Sequence, residues 1–220
     1  MHNSISLDGA FSGFEFPAEL MELHYRIAAG FGESLRLIGS NTARVSIDLF
    51  GGFTPETRAD RDKPQKPEGL SYWAIPDSKG SLDGMLHYFR RSEYCRDVIV
   101  LVSASTPKSY LHYLEERKYD FRVAGRDRID LNESLRFLSE KYKPKTILVD
   151  AGRGLTNALL NRGLIDEISL LILPMICGTN ALNLFGQVER MVSLTLVKSE
   201  AYPGGSTWLL YAVRNHQADN

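Results

Sequence analysis

The sequence predicts an α/β fold, a mostly parallel central sheet flanked by helices with a C-terminal antiparallel hairpin, and three observations carry that reading. Val98–Val102 (VIVLV) and Thr146–Val149 (TILV) are continuous apolar runs, rich in β-branched residues and without two-residue alternation. Strands of that kind are buried on both faces, as in a parallel sheet covered by helices. Helical spacing falls between the strand-like runs: Leu20, Leu23, His24 and Ile27 share one face after Pro17, and Leu131, Leu135, Leu138 and Tyr142 share another before Pro144. The end of the chain changes period. Val192, Leu194 and Leu196 alternate with Ser193 and Thr195, and Tyr202-Pro203-Gly204-Gly205 separates them from the apolar run Trp208–Val213, which predicts the hairpin.

A chain of 220 residues, 43% hydrophobic and 24% charged, can bury a full core, and one domain over residues 1–220 is expected. The formal net charge of -1 provides no global field to attract nucleic acid or an anionic membrane, so neither is an expected partner. The segment MHNSISLDGAF lacks a basic n-region and a long apolar h-region, and no stretch is apolar enough to span a bilayer; a cytoplasmic protein is expected. Cys95 and Cys177 are far apart and outside any CxxC spacing, so both read as buried, reduced thiols. None of the histidines has a partner at ligand spacing, so no metal site is expected. His24 reads as a packing residue on an apolar helix face. No GxSxG elbow or Cys–His pairing suggests a hydrolase. Gly51–Gly69 is a long irregular stretch containing Arg58, Arg61, Lys63 and Lys66, suited either to a phosphate or to solvent.

The most specific local pattern is ILVDAGRGLTNALLNRG, residues 147–163, where a strand runs into Gly152-Arg153-Gly154 and then into the amphipathic Leu155, Ala158, Leu159. Strand, glycine turn and helix start together form an anion site: glycine lets the backbone approach a pyrophosphate, and free N–H groups with the helix dipole hold its charge. A plain strand-to-helix turn has the same pattern, which is neither GxGxxG nor a Walker loop. Leu37-Ile38-Gly39-Ser40-Asn41-Thr42 and Val102-Ser103-Ala104-Ser105-Thr106-Pro107-Lys108 repeat the theme with hydroxyls and Lys108, and each also suits an ordinary helix cap.

Taken in order, Ser6-Leu7-Asp8-Gly9, Ile38-Gly39-Ser40-Asn41-Thr42, Trp73-Ala74-Ile75-Pro76-Asp77-Ser78, Val149-Asp150-Ala151-Gly152 and Gly163-Leu164-Ile165-Asp166-Glu167 leading to Pro174 and Gly178 resemble the riboflavin-pathway reductase family of the RibD C-terminal domain type. That family carries an S-x-D-G segment, a G-x-x-T turn, a W-x-x-x-D-S strand, a V-E-G-G turn before a helix and a G-L-V-D-E strand start. The resemblance implies a dihydrofolate reductase-like fold and NADPH bound by Gly39, Ser40 and Thr42, by Ser103 and Ser105, and by Gly152, Arg153, Gly154, Leu155 and Thr156. It implies a ribosylaminopyrimidine 5′-phosphate as substrate, near Ser6, Asp8, Asp48 and Asp150, with hydride delivered to C1 of the sugar, and it implies a homodimer. The H-x-E and P-C-x-x-C pair of the deaminase fused to many members is absent.

Two departures matter. Asp150-Ala151 replaces Glu-Gly in the turn, where the related fold often has a cis peptide that Ala151 can adopt. After Thr42, Ser46-Ile47-Asp48-Leu49-Phe50-Gly51-Gly52 replaces a family D-D-P-x-L-T-x-R stretch, so the expected acid is displaced to Asp48 or lost. Reducing an imine needs a proton at nitrogen, and the candidate acids are Asp48 and Asp150, with Asp48 favoured on the substrate side and Asp150, at the cofactor turn, for positioning. Ser40, Thr42, Ser103, Ser105 and Lys108 offer donors for a ribose 2′-phosphate, which points to NADPH over NADH. The apolar Leu170–Ile176 run with its hairpin suggests a sheet extended across two subunits. Reduction of a pterin or another small heterocycle, or nucleotide binding without catalysis, are the other readings.

Overall fold

The computed structural model describes residues 1–49, 52 and 54–214. Along the chain run β1 (His2–Ser6), α1 (Ala18–Ala29), β2 (Leu35–Ile38), α2 (Ser40–Leu49), β3 (Ser71–Pro76), α3 (His87–Arg91), β4 (Cys95–Val102), α4 (Lys108–Glu116), β5 (Asp120–Val123), α5 (Leu131–Tyr142), β6 (Ile147–Asp150), α6 (Arg153–Asn161), β7 (Glu167–Leu173), β8 (Ser193–Ala201) and β9 (Thr207–Arg214), with a 3-10 turn at Arg58–Arg61. The strands form a five-stranded sheet in the order β5-β4-β3-β2-β6 and a four-stranded sheet in the order β1-β7-β9-β8. Contacts cluster into two compact units, one made of Met1–Gly32 and the chain from Leu148 on, the other of Glu33–Ile147.

In the Glu33–Ile147 unit, β2 to β5 are parallel throughout, with Leu37 opposite Ala74, Ile75 opposite Val100 and Val100 opposite Phe121. The run VIVLV is the middle of β4, and Val98 to Val102 are at most 1% exposed. Each fully buried side chain of this size contributes about 1.5–3 kcal/mol. Ile47 of α2, Phe89 of α3 and Tyr110 and Leu114 of α4 pack in the same cluster. α5 begins at an Asp130 cap whose carboxylate accepts the Glu133 N–H at 3.0 Å, and it ends at Lys143, left-handed at φ 47°, before Pro144.

In the other unit, β1 is parallel to β7, and β9 is antiparallel to both β7 and β8. The predicted hairpin is therefore β8–β9, joined through Tyr202–Ser206, and it belongs to a sheet separate from the parallel one. Leu23 and Ile27 of α1 cover Leu171 and Leu173 of β7, with Phe16 and Trp208 alongside. Of the two thiols, Cys95 is buried, and burial pushes it up to about 12; Cys177 is only half-buried, because it lies in the turn after β7 instead of in a strand. The described peptide bonds are all trans, including the one at Ala151. No helix among the described residues is long and apolar enough to cross a membrane.

Candidate functional site

The carboxyl ends of parallel strands are where ligands bind in open α/β sheets, because helix starts gather there. In the Glu33–Ile147 unit those ends present Gly39 after β2, Asp77 after β3 and Ser103 after β4. β3 lies between the other two, so Gly39 and Ser103 are about 10 Å apart at the usual strand spacing. Gly39 and Ser40 are half-buried, and the Gly39 carbonyl accepts the Ala43 N–H at 2.8 Å, the first turn of α2. Thr42 follows two residues after Ser40 in the same first turn.

After β4, Ser103 is fully buried, and its N–H donates to Thr106 Oγ1 at 3.0 Å. Ser105 is exposed; its hydroxyl lies 3.0 Å from Ser103 Oγ and donates to the Asp127 carbonyl at 3.1 Å. Backbone bonds from Ala104 to Gly125 and from Ser105 to Arg126 attach this loop to the one after β5. Exposed Arg126 and Arg128 thus stand beside Ser105. The sequence reading missed them, although G-R-D-R after a strand is a visible basic motif; their relevance comes from β4 and β5 being neighbours.

In the other unit, β6 leads through Gly152 (φ −73°, ψ −176°) directly into α6. Thr156 and Asn157 are buried, and their side chains serve the backbone: Thr156 Oγ1 donates to the Ala151 carbonyl at 3.0 Å and Asn157 Nδ2 to the Leu184 carbonyl at 2.7 Å. Asn3 of β1 donates to the same Ala151 carbonyl at 3.0 Å and fixes the end of β6. The first intrahelical acceptor is the Gly152 carbonyl, taken by Thr156, so the N–H groups of Arg153, Gly154 and Leu155 have no acceptor within the helix. A Cβ built on Gly154 meets no atom within 4 Å. A helix start with outward N–H groups and open space over a glycine fits a pyrophosphate.

Ser6 and Asp8 form a turn. Ser6 is fully buried; its hydroxyl donates to Asp8 Oδ1 and accepts the Ala10 N–H at 2.9 Å. Asp8 reaches across to the far end of the chain, accepting the Cys177 N–H at 3.1 Å and the Gly178 N–H at 2.8 Å. The Ser6 hydroxyl and then these two amides hold the Asp8 carboxyl down to about 2. It is an ionised clamp and cannot donate a proton near neutral pH.

Of the two proposed acids, Asp150 is half-buried at the end of β6, while Asp48 is exposed near the end of α2, about 12 Å along the helix axis from Ser40. Phe50 and Gly51 of the same stretch lie outside the described residues. His24 packs as expected, its Nδ1 2.9 Å from Ser4 Oγ and its ring 4.3 Å from that of His2. Asp166 and Glu167 are exposed at the start of β7. No group of metal-binding side chains occurs among the described residues.

The sequence profile of the RibD C-terminal domain matches residues 39–207. The chain belongs to the RibD C-terminal domain family. This RibD-type chain has the fold of solved members. A pyrimidine reductase-like protein from Corynebacterium diphtheriae superposes with a TM-score of 0.72 at 18% identity, over 97% of this chain and 90% of that one. RibD from Acinetobacter baumannii gives 0.68 at 17% identity, over 96% of this chain and 56% of its own, so the chain spans just over half of that protein. The riboflavin biosynthesis reductase Rib7 of Saccharomyces cerevisiae gives 0.63 at 15% identity, over 96% and 87%. At such identities the likeness concerns the fold, the reductase α/β architecture that the sequence motifs implied. No curated protein matches the chain.

Proposed function

We propose that this member of the RibD C-terminal domain family is a cytoplasmic, NADPH-dependent reductase of riboflavin biosynthesis, converting a ribosylaminopyrimidine 5′-phosphate to its ribitylamino form. Within the family, the β6–α6 turn is the observation that carries the cofactor assignment: N–H groups at Arg153–Leu155 without an acceptor in the helix, and open space over Gly154, suit a pyrophosphate. Bound NADPH supplies a hydride from its nicotinamide. Lys108, Arg126 and Arg128, exposed beside Ser105 around the ends of β4 and β5, offer donors for the ribose 2′-phosphate that distinguishes NADPH from NADH. Gly39, Ser40 and Thr42 offer a second helix start.

Hydride addition to C1 of the sugar imine leaves the nitrogen in need of a proton. Asp150 is the favoured donor because it is half-buried beside Gly152; Asp48, exposed on α2, is the alternative on the substrate side. Ser6 and Asp8 shape the substrate side through their turn.

We also propose a homodimer. Leu170, Leu171 and Leu173 are buried between β1 and β9, so the apolar run of β7 is internal to its own sheet. The support comes from β8, an edge strand whose Leu194, Leu196 and Val197 are 40%, 52% and 56% exposed.

The test is NADPH oxidation with the diamino and the deaminated ribosylaminopyrimidine phosphates. Wild type turns over one of them, and Asp150→Asn loses about 10²-fold or more in kcat while Asp48→Asn loses less. A folded wild-type protein inactive on both substrates refutes the pathway assignment.

A further inference from the structure

The lysines of the basic loop lie far from the strand ends just described. Lys63 and Lys66 stand with Tyr72, Arg96, Asp97 and Asp120 around a cleft of about 510 Å³ at the amino ends of β3, β4 and β5. Arg96, in the second position of the eight-residue β4, is roughly 20 Å from Ser103 at about 3.3 Å per residue. The volume is in the range that encloses a small molecule.

The charges in the cleft do not cancel locally. Asp97 is taken by Arg90, with Nε 2.9 Å from Oδ1, and Asp120 by Lys63 at 2.8 Å and Lys141 at 3.1 Å. Among the described residues, Lys66 and Arg96 have no carboxylate partner. Lys66 Nζ donates to the carbonyl of Ser92 and, at 2.6 Å, to that of Cys95; Arg96 donates to the backbone carbonyl of Glu68 at 3.2 Å and lies over the Tyr72 ring at 4.9 Å. The Glu68 side chain, also on the cleft, is exposed and pairs with neither. A carbonyl oxygen satisfies a donor without neutralising its charge, and partly buried cations need an anion. Burial in fact pushes the Lys66 ammonium below the ordinary lysine value.

We propose that this cleft is a second ligand site, for free phosphate or the phosphate of a small phosphomonoester, held between Lys66 and Arg96. Two unneutralised cations match a dianion, and the guanidinium fork beside a point-charge ammonium is the usual division of labour around phosphate oxygens. The site is independent of the reductase assignment. Its position at the amino ends of the strands separates it from the turns that suit the cofactor, so the basic loop serves an accessory anion and not the reacting substrate.

The experiment is calorimetric titration of the full chain with inorganic phosphate and, separately, with ribose 5-phosphate, while amide resonances are followed by NMR. Binding shifts the amides of Lys66, Tyr72 and Arg96 and is weakened about tenfold or more in Arg96→Gln. Lys66→Gln gives the same loss if it folds; Arg96→Gln, whose half-buried side chain makes only the Glu68 carbonyl and Tyr72 ring contacts among the described residues, is the decisive variant once circular dichroism shows an unchanged fold. Tighter binding of ribose 5-phosphate identifies a phosphomonoester, and equal binding identifies free phosphate. Unchanged affinity in Arg96→Gln, shifts confined to the Gly152 turn, or no binding at all overturns the proposal.

Discussion

Arg90 is 3% exposed and holds together a segment far from it in sequence. Its guanidinium pairs with Asp97, donates to the carbonyls of Asp60 and Arg117 at 3.0 and 2.8 Å, and stacks 3.7 Å from the Tyr119 ring centroid. Next to it Arg91 grips Asp60, whose carboxyl is thereby held far below the usual range. Arg90→Ala leaves the Asp97 carboxylate buried without its cation, and it is expected to cost about 3–5 kcal/mol in urea unfolding. A loss under 1 kcal/mol would show that water replaces the guanidinium freely. Asp8 gives the pH counterpart. Its folded carboxyl titrates at about 2, below the ordinary 3.9, so its contribution is fully present above about pH 4 and is lost as pH falls towards 2. Asp8→Asn is therefore expected to flatten the acid limb of the stability curve and leave the neutral-pH activity profile in place; an altered profile near pH 7 would contradict an ionised clamp. The S-x-D-G turn was legible from Ser6 to Gly9. Its partners Cys177 and Gly178 were not, since nothing local in a sequence says which amides a carboxylate will meet 169 and 170 residues away.

Elements were legible where one period dominated. VIVLV could only be a strand buried on both faces, and the 3.6-residue spacing of Leu131, Leu135 and Leu138 made α5 unambiguous. The 3-10 turn at Arg58–Arg61 was hidden because its order comes from the Arg91–Asp60 and Arg117–Glu56 pairs and not from apolar spacing. The β6–α6 turn was legible as a shape, but the use of Thr156 for the Ala151 carbonyl appears only in three dimensions. Gly152→Val tests that element: the branched side chain fills the space a pyrophosphate needs, so NADPH affinity is expected to fall at least about tenfold in a chain with an unchanged circular dichroism spectrum. Retained affinity would make the turn purely structural. In β8, alternation predicted an apolar face without saying what covers it, and a bulge between Leu196 and Lys198 breaks the pattern midway. Leu196→Lys is expected to convert a dimer to monomer in light scattering at micromolar concentration; a dimer of undiminished stability would move the interface elsewhere.

At the scale of the molecule, the open proposal is a single cooperative domain, although contacts cluster into two units. The chain carries its own reporters. It has two tryptophans, Trp73 in the Glu33–Ile147 unit and Trp208 in the other, the latter donating to Ser169 Oγ at 2.8 Å. The Glu33–Ile147 unit also contains the phenols most sensitive to alkali. Burial pushes Tyr113 up to about 12 and Tyr110, Tyr119 and Tyr142 higher still, each with help from neighbouring acids or phenols. A phenol whose folded pKa is raised stabilises the fold fully below the unfolded value of about 10, and that contribution is lost as pH rises through 12, because only the unfolded chain releases the proton easily. If the two units unfolded independently, alkali would therefore unfold the Glu33–Ile147 unit first. In Trp208→Phe the remaining emission follows Trp73 and the alkali-sensitive unit; in Trp73→Phe it follows Trp208. With a single cooperative domain, both variants unfold at the same pH, and tyrosinate absorbance rises in the same transition. A Trp208 signal that persists above the pH at which Trp73 and the phenols have already changed would establish two independently folding units, and the one-domain reading would have to be abandoned.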